Sequence, residues 1–272
     1  MSAHPFAAPE PWDLVADGYA ETTHALLEPF SARALELVAP GPHARVLDVA
    51  AGPGTLSLPA ARQVAEVAAI DFSEEMVRLL TARARAEGID NIRATVGDGQ
   101  RLPFTDARFD AAFSMFGLMF FPDRRKGFGE MFRVLRPGGV AVVSSWAPVL
   151  ESTLMRMVFA ALRAADPSIQ EPQPNYLNLE NPEVFATEMR EAGFAGVSIQ
   201  RHTHSVAYAD GADLLAQMVR GSAPLTLLRR EVGEREWERR AAIMRAHLDE
   251  HYRPNMPLTT TALLGIGHKP AA

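Results

Sequence analysis

Three acids and a short glycine turn carry most of the chemistry legible in this chain. Asp48 interrupts the aliphatic run Val46, Leu47 and Val49, where a strand covered on both faces would otherwise hold another apolar residue. Gly52 and Gly54 follow within Ala50-Ala51-Gly52-Pro53-Gly54-Thr55. A backbone without Cβ atoms can turn sharply there and come close to a ligand. A helix opening near Thr55 would aim its first unpaired N–H groups into the crevice outside the carboxyl end of that strand. Such an arrangement builds a site of nucleotide size.

Asp71 ends a second apolar run that begins at Val67, and a carboxylate at that place can accept two hydrogen bonds from a ribose diol. Phe72 can then lie against an adenine face. Ser73 caps the next helix, whose first turn carries Glu74 and Glu75, the charges favoured at that end. The competing reading gives Asp71 and Ser73 the organisation of a turn and nothing more. Asp98, flanked by Gly97 and Gly99, ends a third run, where it can accept from the exocyclic amine of an adenine while the Gly99 N–H stays open to a ring nitrogen. An ordinary Asp-Gly turn is the alternative. Met115 closes a fourth run that begins at Phe109, and Leu135-Arg136-Pro137-Gly138-Gly139 reads as a helix end and tight turn belonging to the fold.

The elements that must position these residues alternate. Strands are expected over 46–49, 67–70, 92–96, 109–115 and 139–145, with helices over 55–64, 74–87 (ended by Gly88) and 124–135. Alternation of this kind predicts a parallel sheet with helices on both faces. Residues 12–38 read as helical ahead of it, with Pro29 marking a break between two helices. Beyond Trp146 the expected order is a Met-rich helix over 152–165, a loop over 166–182, a helix over 183–192 and a strand over 194–208. Helices over 211–220 and 226–251 and a last strand over 259–267 complete it. Two helices between the last two strands are placed to fold over the ligand edge as a lid.

Composition narrows the function. With 272 residues, 47% of them hydrophobic, the chain can bury a large core, and the expected organisation is a single domain, 1–272. Within it, 1–40 forms an N-terminal helical cap, 40–146 the ligand-binding core, and 147–272 a lid region with the last two strands. A net charge of −6 and the lack of a basic block argue against a nucleic-acid partner. No cysteine occurs, which removes disulfides, thiolate metal sites and cysteine nucleophiles and favours a cytoplasmic location. Met1 to Phe6 has neither a basic nor an apolar leader segment, and no run approaches the ~18 apolar residues of a membrane helix. His202 and His204 share one face of a strand, His24 lies near the N-terminus, and His247 and His251 stand four apart on the last helix. That last pair lacks a Glu-bearing zinc motif or a third ligand and reads as a solvated face, so no metal is expected. No residue is assigned as catalytic.

Taken together, these motifs resemble the class I S-adenosylmethionine-dependent methyltransferases, in the small-molecule branch that includes the ubiquinone and menaquinone-biosynthesis enzymes. The resemblance is close over 40–146 and general beyond. It implies a Rossmann-like α/β fold: a doubly wound, seven-stranded, mostly parallel sheet with an antiparallel last strand and a helical lid. It implies S-adenosyl-L-methionine as cofactor. Asp48, Ala50, Gly52 and Gly54 would then surround the methionine moiety, Asp71 would hold the ribose, Phe72 and Met76 would pack near adenine, and Asp98 and Gly99 would meet the adenine edge. Met115 would face the methionine portion, and Tyr19 would close over the cofactor. The family usually has a glycine where this chain has Ala50; an alanine fits there with a negative φ, which predicts a slightly tighter pocket.

The implied reaction is methyl transfer to O, N or C of a small organic acceptor by in-line displacement. Alignment alone can supply on the order of 7–11 kcal/mol of the barrier, so a dedicated base is optional. Family analogy puts the acceptor near Met115, Phe116, Met119, Phe120, Phe121, Trp146, Met155, Met157 and Phe159, which suits an apolar or aromatic molecule, although many of these would serve the core. The partner expected is that small molecule, and a homodimer is compatible. One rival is a nicotinamide-dependent oxidoreductase. Thr55-Leu56-Ser57 lacks its later third glycine, and Asp98-Gly99 would have no duty there. A second rival is a non-catalytic S-adenosylmethionine-binding protein, against which an intact lid argues.

Overall fold

Buried aliphatic runs separated by short helical crossovers place seven strands in one sheet. The computed structural model describes residues 5–173, 175 and 177–271. The leader reading of Met1 to His4, and Pro174 and Tyr176 in the loop over 166–182, lie outside the described residues. The strands are β1 (Arg45–Val49), β2 (Glu66–Asp71), β3 (Ile92–Val96), β4 (Phe109–Ser114), β5 (Leu135–Trp146), β6 (Ala195–Val206) and β7 (Leu258–His268). Their order is β3-β2-β1-β4-β5-β7-β6. β1 pairs in parallel with both β2 and β4, while β7 runs antiparallel to β5 and β6. The chain reverses its direction of travel across the sheet between β1 and β4, where ligands of open α/β sheets collect at the carboxyl ends.

Alternate residues of each central strand feed opposite cores, as the two-residue period demands. Leu47, Val49 and Ile70 join Phe109, Phe128, Met131 and Phe185 on one face; Val46, Val67, Phe113 and Val142 join Ala34, Leu35 and Leu56 on the other. The crossovers are α3 (Ser57–Ala61), α4 (Glu74–Ala86) and α5 (Arg124–Val134). Ser73 caps α4 by accepting the Met76 N–H at 3.1 Å, with Glu74 and Glu75 in the first turn and Arg83 and Arg85 in the last. The first crossover helix is shorter than 55–64 because residues 52–56 are spent in the turn after β1.

Three expectations need correction. The N-terminal helices α1 (Glu10–Gly18) and α2 (His24–Val38) are joined by a π-helical turn over Tyr19–Thr23, and Pro29 lies inside α2 instead of breaking it. The ring removes one backbone donor, but Leu27, Phe30, Ala34 and Leu35 bury a common face that holds the helix on course. The segment 226–251 is two helices, α9 (Ala223–Val232) and α10 (Glu234–His251), divided at Gly233 with φ +79°. With α8 (Gly211–Gly221), three helices stand between β6 and β7 where two were expected. They form a second apolar cluster with α6 (Thr153–Ala165), centred on Leu154, Leu214, Trp237, Met244 and Leu248. The remaining helix, α7 (Pro182–Glu191), buries Phe185 and Met189 beneath the sheet. The turn over 135–139 is absorbed into the start of β5, where the register with β4 shifts between Phe109 and Ala111.

Candidate active site

The carboxyl ends of β1, β2, β3 and β4 open on one cavity of about 270 Å³. Tyr19, Ala50, Gly52, Asp71, Phe72, Met76, Asp98, Gly99 and Met115 all line it. Asp71 sits at its floor, almost fully buried. Its Oδ2 accepts the Gly52 N–H at 2.8 Å and its Oδ1 accepts the Ser73 N–H at 2.9 Å. A carboxylate has about four lone-pair sites, so acceptor capacity remains beyond these two bonds. Burial pushes its pKa up to about 6 against the pull of the Ser73 and Gly52 N–H groups, with the Asp13 charge adding to the rise.

The turn after β1 is pinned to β2 twice: Ala51 donates its N–H to the Ile70 carbonyl at 3.1 Å, and Gly52 donates to Asp71. These anchors force Ala50 to φ +57°, the left-handed region, so the negative φ expected for an alanine does not occur. That conformation costs an L-residue about 1–2 kcal/mol. The Ala50 Cβ lies against Gly117, where any Cβ would collide with it. Phe116, beside that glycine, is also left-handed, at φ +58°, and its N–H donates to Ser144 Oγ at 2.8 Å. Two strained non-glycine residues thus border the same cavity.

Asp48 and Gly54 stand behind the cavity wall. Asp48 is buried and accepts the Ser57 hydroxyl at 2.6 Å; burial raises its pKa to about 7, Ser57 opposes that rise and the Asp71 charge reinforces it. It borders a smaller cavity of about 30 Å³ with Tyr19, Leu27, Ser31 and Thr55. Gly54 packs beneath Leu80 of α4, where a Cβ would collide. Tyr19, Ala50, Gly52, Met115 and Phe116 border both cavities. Burial first, and then the Asp71 carboxylate, raise the Tyr19 phenol pKa. Asp98 is exposed at the rim, its Oδ1 accepting the Gln100 N–H at 2.8 Å and the Gln100 side-chain amide at 3.0 Å. Gly99 is buried, and a Cβ there would strike Phe121 and Val49.

The wall opposite Asp71 comes largely from residues that sequence reasoning did not assign to a cofactor site. Trp12 and Phe120 rings lie 5.3 Å apart, Phe6 and Phe120 5.7 Å, and Trp12 and Tyr19 6.3 Å. Trp12 also donates its indole N–H to the Phe6 carbonyl at 3.0 Å. The helical spacing of Trp12 and Tyr19 was the available signal. Within the proposed acceptor collection, Met115, Phe116, Phe120 and Phe121 line the cavity and Trp146 stacks on Phe116 at 4.1 Å. Met119 packs on the main core, and Met157 and Phe159 pack on the lid cluster.

None of the described histidines lines the cavity. His24 Nδ1 lies 3.4 Å from Thr55 Oγ1, His202 meets the Phe30 ring edge-on, and His247 stacks on His251 at 4.1 Å. Among the described residues no group of three His, Cys, Asp or Glu is placed to hold a metal, and no helix is long and apolar enough to cross a membrane.

Residues 46–139 match the family described as "Methyltransferase domain". An uncharacterised protein of Mycobacterium tuberculosis is 38% identical over 161 residues, which is 59% of this chain and 57% of that protein. The chain therefore spans little more than half the length of that relative. A demethylmenaquinone methyltransferase of Clavibacter sepedonicus is 34% identical over 180 residues, 62% of this chain and 73% of that protein. In three dimensions, the YcgJ protein from Bacillus subtilis shares the fold with a TM-score of 0.59 at 22% identity, over 89% of this chain and 98% of its own. The chain belongs to the class I S-adenosylmethionine-dependent methyltransferases. Within that family it resembles the menaquinone and ubiquinone methyltransferases.

Proposed function

We propose that this chain binds S-adenosyl-L-methionine in the cavity at the ends of β1 to β4 and transfers its methyl group to a small apolar or aromatic acceptor. The observation that carries the reading is Asp71: a buried carboxylate held by the Gly52 and Ser73 backbone N–H groups and lining a largely apolar cavity, with acceptor capacity left for a ligand. A vicinal diol supplies the two donors such a group needs. Asp98 and the Gly99 backbone would take the adenine edge, Phe72 and Met76 its faces, and the turn from Ala50 to Gly54, with Asp48 behind it, the methionine end. Tyr19 and Met115 would close on the same end. Gly52 fits that duty, because a Cβ at its position would meet nothing and would project into open space.

The cofactor supplies a methyl group on a sulfonium that leaves as a neutral thioether. What the chain's own residues do is bind, align and exclude water. Phe6, Trp12, Phe120 and Phe121 present an aromatic wall to the acceptor side, which selects flat or apolar molecules. Alignment against that wall is the main catalytic device, and the acceptor atom, O, N or C, arrives already nucleophilic. In this reading 1–40 is a cap, 40–146 the cofactor-binding core and 147–272 the cover on the acceptor side of one domain. The protein works in the cytoplasm, as a monomer or homodimer.

Asp71→Ala tests the assignment. Loss of two hydrogen bonds to a charged acceptor should weaken S-adenosylmethionine binding at least tenfold, ~1.4 kcal/mol or more, in a calorimetric titration. Unchanged affinity would remove Asp71 from the site.

A further inference from the structure

Helix α1 reaches the candidate cofactor site through a carboxylate outside it. Asp13 Oδ1 accepts the Ser73 hydroxyl at 2.5 Å and faces the Glu75 N–H at 3.4 Å, so a side chain from one helix completes the cap of another. Ser73 Oγ is at the same time the acceptor for the Met76 N–H, and the Ser73 backbone N–H is one of the two that hold Asp71. Trp12, the neighbour of Asp13, carries part of the cavity's aromatic wall. Negative charge at the first turn of α4 is also where the helix dipole favours it.

We propose that Asp13 is a positioning residue for the cofactor site. Its carboxylate ties α1, and with it Trp12 and Tyr19, to the N-terminus of α4 through Ser73, the residue that orients the Asp71 carboxylate. The inference rests on the reading that Asp71 holds the ribose. Two further charged contacts of α1 stand beside it: Asp17 pairs with Arg78 of α4 at 3.5 Å, and Glu10 pairs with Arg230 of α9 at 3.0 Å. Neither reaches Ser73, whereas Asp13 holds its hydroxyl, so among the described side-chain bonds of α1 the one from Asp13 ends on a residue that also holds Asp71.

The link gives a signature that plain structural support lacks. Asp71 is faced by Asp13 from α1, Asp48 from β1 and Tyr19 from the π-turn, beside the N–H groups of Gly52, Phe72 and Ser73. Its ionised form accepts the ribose hydroxyls best, so affinity should climb as pH rises through about 6. The Asp13 charge raises that midpoint, and removing the charge must lower it.

The experiment is a calorimetric titration of the full chain with S-adenosylhomocysteine between about pH 5 and 8, with a melting curve for each variant. Asp13→Ala should weaken binding about tenfold at neutral pH and move the midpoint of the affinity profile to lower pH. Asp13→Asn keeps an oxygen for the Ser73 hydroxyl and should recover most of the affinity while retaining the lowered midpoint. Two results overturn the proposal: wild-type affinity and midpoint in Asp13→Ala, or equal losses in both variants with the midpoint unmoved. A wild-type chain silent toward S-adenosylhomocysteine at every pH would instead refute the cofactor reading on which the proposal stands.

Discussion

Ala50 shows how one residue's backbone can be set by its neighbours' hydrogen bonds. The left-handed φ follows from pinning Ala51 and Gly52 to β2, and its Cβ is accommodated because position 117 has none. The two residues are therefore coupled. Gly117→Ala should destabilise the chain by about 1–3 kcal/mol through overpacking, and Ala50→Gly alone should stabilise it by about 0.5–1 kcal/mol by relieving the strained alanine. In the double variant the collision is gone, so a double-mutant cycle by chemical denaturation should give a favourable interaction term; strict additivity would show that the two side chains do not compete. Asp71 and Asp98 were legible in the sequence because each is an acid ending an apolar run, a pattern that fixes the position without knowledge of the fold. The φ of Ala50 was not, since it depends on hydrogen bonds to a strand some twenty residues away. Asp48 was legible as an anomaly, and only the Ser57 hydroxyl and the cavity behind the turn show that it supports the loop from within.

At the scale of elements, the strands around the site followed directly from their apolar runs, while the helices departed from expectation wherever one backbone angle or one buried face outweighed local signals. Pro29 is a strong breaker by type, yet α2 runs through it because Phe30 and its partners bury one continuous face. Gly233 gave the opposite case, an unremarked glycine that ends a helix. Its φ of +79° and ψ of 160° belong to a region open essentially to glycine, and it divides α9 from α10. Gly233→Ala should cost about 1–3 kcal/mol from backbone strain alone, because a Cβ there has nothing within 4 Å to strike. The loss would appear as a lowered denaturation midpoint with an unchanged slope. An unchanged midpoint would mean that the segment relaxes into another conformation at no cost. Phe6 and Trp12 escaped assignment for a related reason: a short N-terminal turn and α1 meet the loop after β4, where Phe120 was expected near the acceptor, only through the packing of α1 against α4, α8 and α9.

For the whole molecule, alternation of strands and helices announced a parallel sheet, and the order β3-β2-β1-β4-β5-β7-β6 makes that sheet open a crevice between β1 and β4. Every acid singled out at a strand end lies beside that reversal because the fold brings those ends together, not because the residues are near in sequence. The helices α8, α9 and α10 are inserted between β6 and β7; α8 and α9 pack on α1, α8 also on the π-helical turn, and none of the three lines the cavity. What the sequence could not show is how these helices reach the N-terminal cap, since their packing depends on contacts between segments more than two hundred residues apart, such as Glu10 with Arg230. The central claim, that this crevice is built for an adenosyl cofactor, is tested most directly by calorimetric titration of the full chain with S-adenosylmethionine, S-adenosylhomocysteine and NAD in parallel. Saturable one-to-one binding of both adenosyl ligands, with NAD silent, is the expected result; binding of NAD alone would contradict it and make the crevice a nicotinamide site.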